Sequence, residues 1–105
     1  NLTSLMIEQL LSNALKYTKK GDIWVAFDEK TKQLTIKDNG MGIREEDLPK
    51  IFDKGYAGMN GQLETKSSGI GLYLVQLISK RLEQPVHVNS ELGEGSTFTI
   101  QLFDA

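Results

Sequence analysis

Apolar residues along this chain recur with two different periods, and each change of period marks an element. From Thr3 to about Lys19 they fall at helical spacing: Leu2 and Met6, then Leu10, Leu11, Ala14 and Leu15, with no Gly or Pro inside the run. The pattern predicts a helix with Thr3 as N-cap, Lys19 and Lys20 at its basic end and Gly21 as the C-terminal cap. Asp22 to Asp28 and Leu34 to Lys37 are runs of β-forming residues divided by the polar stretch from Glu29 to Gln33. They read as a hairpin, with Val25, Phe27, Leu34 and Ile36 in the core and Trp24 at a wet rim. Glu45 to Ile51 predicts one short helix, with Pro49 in its first turn or two and Ile51 and Phe52 anchoring it. Helical spacing returns from Ser68 to about Leu82 through Ile70, Leu74, Leu77 and Ile78, joined by Val75 and Leu82. Pro85 to Ser90 and Ser96 to Phe103 lie on either side of Gly93-Glu94-Gly95 and read as a second hairpin with one buried face.

Helix, two strands, short helix, long loop, helix and two strands make an α+β order. The fold expected is a two-layer α/β sandwich, with helices on one face of a mixed, mostly antiparallel sheet. The 105 residues suit a single domain, 1–105. The stretch from Asp53 to Ser68 contains Gly55, Gly58 and Gly61 and few aliphatic residues. A loop that long in a small domain is usually either a functional lid or disordered.

Composition narrows the function. A net charge of −2 with no basic block argues against a nucleic-acid partner. The absence of cysteine removes disulfides and thiolate metal sites. No apolar run approaches the ~20 residues that cross a bilayer. The chain starts at Asn1 with no signal peptide, and reads as a piece of a longer protein.

Candidate chemistry gathers in three stretches. In Asp38-Asn39-Gly40-Met41-Gly42-Ile43 a strand ends on a carboxylate and a glycine-punctuated turn begins at once. Such a carboxylate is a fixed acceptor for an amine-bearing ligand, and glycines let backbone approach that ligand; taken alone, the stretch is equally an ordinary Asn-Gly turn. Gln9, Asn13, Lys16 and Tyr17 share one helix face. That face is either a solvated polar stripe or a set of groups for the metal, phosphate and ring of one nucleotide. Ser68-Gly69-Ile70-Gly71-Leu72 opens a helix with exposed N–H groups, which suits either an anion or a glycine-rich entry into packing. Lys54 and Lys66 flank the long loop within reach of an anion. His87, the only histidine, alternates outward and is expected to be a surface residue.

Taken together and in order, these stretches resemble one family. Glu8 to Tyr17 is similar to the N box of sensor histidine kinases, and Asp38 to Gly42 to their G1 box. Ile51 to Gly55 resembles the F box, Ser68 to Leu72 the G2 box, and Glu94 to Phe98 the closing glycine–threonine stretch. The family is the catalytic and ATP-binding domain of two-component sensor kinases, with the Bergerat ATP-binding fold, and the resemblance runs from Leu5 to Leu102. Asp53-Lys54-Gly55-Tyr56 and Ser67-Ser68 look most like the small kinases that work beside peptide-antibiotic ABC transporters in Gram-positive bacteria.

The resemblance implies roles. Asp38 would accept from the adenine amino group, with Gly40, Gly42 and Ile43 in the same binding turn and Thr97 supporting that end. Asn13 would offer its amide oxygen to Mg²⁺, Lys16 would meet a phosphate, and Tyr17 would lie against adenine or ribose. Gly69, Ile70, Gly71 and Leu72 would surround the phosphates, and Lys54 and Gly55 would begin a lid over ATP. The implied function is to bind Mg-ATP and donate its γ-phosphoryl to a histidine on a separate dimerisation domain of the same protein, with a response regulator downstream. Two departures qualify it. Gln9 stands where ATP-hydrolysing relatives carry a general-base glutamate, and an amide cannot take that proton. The phosphoacceptor histidine and the family's usual first strand are missing, so the chain is expected to be monomeric and inactive alone. Its expected place is the cytoplasmic side of a membrane-anchored sensor. The alternatives are an ATPase or ATP-gated clamp of the same fold, and a degenerate scaffold without nucleotide.

Overall fold

The computed structural model describes residues 1–18, 21–53 and 71–102. Helix α1 spans Leu2–Tyr17 and buries Met6, Leu10 and Ala14, positions four apart on one stripe. Its N-cap is Asn1 rather than Thr3. The Asn1 side chain accepts from Ser4 N at 2.8 Å, while the Thr3 hydroxyl is engaged by Gln84 Oε1 at 3.0 Å. The helix also stops earlier than its apolar pattern suggests, with Thr18 already out of helical conformation at φ −118°, ψ 87°. Tyr17 O is used there to receive Met41 N at 3.3 Å. Gly21 is therefore not the expected cap; it lies against the Asn39 side chain, where a Cβ would collide.

Strands β1 (Ile23–Asp28) and β2 (Gln33–Asp38) form the first hairpin. Strands β3 (Val86–Glu91) and β4 (Gly95–Gln101) form the second. The hairpins join through β2 and β4, giving the order β1-β2-β4-β3 with every pairing among the described residues antiparallel. Helix α2 (Gly71–Leu82) packs beside α1 on one face of this sheet. Ile36, Phe98 and Ile100 of the central strands complete a core with Met6, Leu10, Ala14, Ile51, Val75 and Ile78.

The expected two-layer architecture is present, but its edge differs from expectation. Val25 pairs with Ile36 and Phe27 with Leu34, so both point to the helix side. They are nonetheless 53% and 45% exposed, because β1 is an edge strand and the helical cover thins before reaching it. Leu15 and Leu77 likewise keep helical phase yet lie exposed. Trp24 and His87 are exposed, as their phase predicts.

The short helix Glu45–Lys50 is a 3-10 helix rather than an α-helix. Its tight turn opens with Asp47 N bonding back to Arg44 O at 2.9 Å. The Asp47 carboxylate, almost wholly buried, is held by Arg44 Nε at 2.9 Å. Ile51 enters the core and Phe52 packs on it, as expected. No helix among the described residues is long and apolar enough to cross a membrane.

Candidate functional site

Asp38 is the last residue of β2, and it is 5% exposed. Its two carboxylate oxygens are treated differently. Oδ1 accepts from Gly40 N at 2.9 Å and from Ser96 N at 3.3 Å. Oδ2 has no hydrogen-bond partner among the described residues. Gly40 sits between this carboxylate and the end of α1: a Cβ there would lie 3.1 Å from Asp38 Oδ1, 2.7 Å from Thr18 Oγ1, and into Tyr17 O. Thr18 Oγ1 is itself buried with no partner in the described structure. One buried polar atom without a partner among the described residues, Thr18 Oγ1, thus stands beside Gly40, with the fixed Asp38 Oδ1 also close to it. A buried polar group without a partner is costly, so Thr18 Oγ1 fits a ligand that brings a hydrogen-bonding group to this end.

The turn after Asp38 is clamped to the tip of the β3–β4 hairpin. Met41 O receives Gly93 N at 2.7 Å. Ile43 N donates to Ser90 Oγ at 2.8 Å, and Ser90 Oγ also meets Gly95 O at 2.9 Å and Ser96 Oγ at 2.8 Å. Gly42, at φ +75°, lies so close to the Glu91 backbone that any Cβ would strike its carbonyl. Only glycine satisfies both the left-handed backbone and the close approach.

Thr97 does not support this end. It pairs with Lys37 and Asn89 and is one residue out of phase with Asp38, so it faces the opposite side of the sheet. The residue across from Asp38 is Ser96, which is buried. Ser90, Ser96 and Thr18 are the site residues that the sequence did not single out. The alternation Ser96, Phe98, Ile100 places Ser96 on the core face, and that phase was the available signal.

The other end of the site lies along α1. Asn13, Lys16 and Tyr17 are half-buried, and Lys16 Nζ stands 5.8 Å from the Tyr17 ring centre. Gln9 reaches the start of α2, where a Cβ on Gly71 would be 3.0 Å from Gln9 Oε1. From Gln9 to Tyr17 the helix rises about 12 Å, so one face of α1 connects the α2 N-terminus with the Asp38 turn. The N–H groups of Gly71 and Leu72 have no acceptor among the described residues of that helix. Lys54, Gly55, Lys66, Gly69 and Ile70 lie outside the described residues. Among the described residues there is no cluster of three or more His, Cys, Asp or Glu that could hold a metal ion. A cation here would rely on Asn13 together with oxygens brought by a ligand, which is how Mg²⁺ commonly binds beside phosphates.

Residues 2–105 match the family described as histidine kinase-, DNA gyrase B- and HSP90-like ATPases. The chain belongs to this family. Its relatives include the sensor histidine kinase GraS of Staphylococcus haemolyticus, 44% identical over 98 residues, which cover 91% of this chain and 28% of the relative. The sensor protein kinase GraS of Staphylococcus aureus (strain MRSA252) is 39% identical over 95 residues, again 28% of its length. The chain therefore spans little more than a quarter of these relatives. Among solved structures it is similar to full-length ShkA in complex with AMPPNP, with a TM-score of 0.74 and 22% identity over 94% of this chain and 20% of that one. A mycobacterial sensor histidine kinase, MprB, gives a TM-score of 0.72 and 23% identity over 91% of this chain and 66% of that one. These likenesses show that the ATPase-family member has the fold of histidine kinase catalytic domains.

Proposed function

We propose that this chain binds Mg-ATP and presents the γ-phosphate to a histidine carried on a separate helical domain of its parent protein, as the catalytic part of a two-component sensor kinase. The observation that carries the reading is Asp38, a buried carboxylate with one oxygen fixed by two backbone N–H groups and the other without a partner among the described residues. Such an oxygen accepts a hydrogen bond from an exocyclic amino group, which adenine has at its 6-position and guanine does not. Gly40 and Gly42 keep the adjoining backbone within reach of the ring, and Ile43 closes the same turn. Tyr17, at the end of α1 beside the turn, flanks the base or ribose. Asn13 supplies an oxygen to Mg²⁺, Lys16 a positive charge to a phosphate, and Gly71 and Leu72 backbone N–H groups at the positive end of α2. Magnesium, when bound, neutralises charge on the phosphates during transfer. Gln9 cannot act as a base for water, so transfer to a histidine is favoured over hydrolysis. A response regulator then stands downstream, and the likeness to staphylococcal GraS kinases supports a sensor of that kind.

The test is a thermal melt with Mg²⁺ and a non-hydrolysable ATP analogue, and the matching GTP analogue as control. At about 100 times its Kd a ligand adds roughly 2.7 kcal/mol, a shift on the order of 10 °C for a domain near this size. The expected result is a shift with the adenine ligand only, reduced to near zero by Asp38→Asn at the same concentration. Equal shifts with both ligands, or an Asp38→Asn variant that binds ATP normally, would refute the assignment of Asp38.

A further inference from the structure

The hydroxyl of Ser90 lies at a junction whose protons can be assigned by count. A serine hydroxyl has one proton to donate and two lone pairs to accept with. Ile43 N can only donate, and it gives its proton to Ser90 Oγ at 2.8 Å. Gly95 O can only accept, and at 2.9 Å it takes the single Ser90 proton. The third partner is Ser96 Oγ at 2.8 Å. With the Ser90 proton already engaged, satisfying all three contacts requires Ser96 to be the donor. Ser96 also has one proton, so what its oxygen offers elsewhere is lone pairs only.

Ser96 stands directly across from Asp38, and its backbone N–H bonds to the Asp38 carboxylate at 3.3 Å. Asp38 Oδ2, without a partner among the described residues, is likewise an acceptor. We propose that Ser90 is a specificity-determining positioning residue: by holding the Ser96 proton, it makes the base-reading end of the site a wall of acceptors, selective for a 6-amino purine over a 6-oxo purine. The proposal rests on the reading of Asp38 as the adenine acceptor and adds a residue that touches no ligand itself. A 6-oxo group brought to this wall faces only lone pairs. If Ser90 is removed, the Ser96 hydroxyl is free to turn and donate to that oxo group.

Calorimetric titration of the chain with Mg²⁺ complexes of non-hydrolysable ATP and ITP analogues tests this, because the two bases differ only at the 6-position and N1. In Ser90→Ala the ratio of ATP to ITP affinity is expected to fall about tenfold, the scale of one hydrogen bond gained or lost. Ser90→Thr, which keeps the hydroxyl, is expected to keep the ratio. Ser96→Ala is expected to lower the ratio by itself, and adding Ser90→Ala to it should change nothing further. An unchanged ratio in Ser90→Ala overturns the proposal. So does an equal loss with and without Ser96, since that would mean Ser90 only holds the Ile43 turn. If Ser90→Ala loses its cooperative melt, Ser96→Ala decides, and an unchanged ratio there is the overturning result. Asp38→Asn separates the two levels. A preference for ATP that is lost in Asp38→Asn but intact in Ser90→Ala defeats the role of Ser90 alone. No preference in the wild type, with no effect of Asp38→Asn, defeats the adenine reading and the role of Ser90 with it.

Discussion

In the proposed reading, Asp38 serves structure and ligand with one side chain. Oδ1 is tied to Gly40 and Ser96, which fixes the carboxylate, and Oδ2 is left over among the described residues. The same economy appears at Gly42, whose positive φ is matched by backbone contact with Glu91. Gly42→Ala is expected to destabilise the chain by at least about 1–3 kcal/mol, the cost of forcing a side chain into that backbone region. Gly93 also has positive φ but nothing within 4 Å of its Cβ direction, so Gly93→Asn should cost far less. Urea melts of the two variants check the contrast. At this scale the sequence was partly legible. A carboxylate followed by spaced glycines is an unusual local arrangement, and it pointed to the two residues that the structure holds in a tightly clamped turn, Asp38 and Gly42. Ser90, Ser96 and Thr18 were not legible. A serine or threonine is common anywhere, and these three matter only through a strand register between hairpins that local pattern does not state. The misplacement of Thr97 has the same cause, since one step along a strand exchanges the faces of the sheet.

Among the elements, periodicity located every helix and strand of the described chain, and the ends and edges moved. α1 begins on Asn1 because its side chain, not that of Thr3, reaches the open N–H of Ser4. It ends at Tyr17 because Tyr17 O is engaged by the Asp38 turn. Alternation in β1 correctly gave the face of Val25 and Phe27 but not their exposure. Exposure depends on which strand ends up at the sheet edge, and that is fixed by β2 pairing with β4. Ile36 and Phe27 share a face, and their different places in the sheet predict different costs. Ile36→Ala, at a residue 1% exposed, is expected to lose about 2–5 kcal/mol. Phe27→Ser is expected to cost clearly less, since Phe27 keeps 45% of its surface in water on folding. Chemical denaturation with matched slopes measures both.

As a whole molecule the chain spans little more than a quarter of its relatives, so the proposed activity should appear only in company. Mixed in trans with a dimerised, histidine-bearing domain of the cognate kinase and Mg-ATP, it is expected to yield acid-labile phosphohistidine. Asp38→Asn should abolish that product, and autoradiography after acid and alkali treatment reads the outcome. The fold class and the family were legible at this scale because several short motifs occur in a fixed order. The order of strands was not, because it depends on a contact between distant segments. That contact sets when the site comes into being. Asp38 and Ser96 are 58 residues apart in sequence and meet only when the β2–β4 pairing closes the intervening chain. Closing so long a loop is entropically unfavourable until the sheet contacts repay it. The Asp38–Ser96 contact therefore belongs to the last stage of assembly: while the chain is being made, no partial product lacking β4 has the proposed base-reading end, and on that proposal nucleotide can stabilise only the finished sheet.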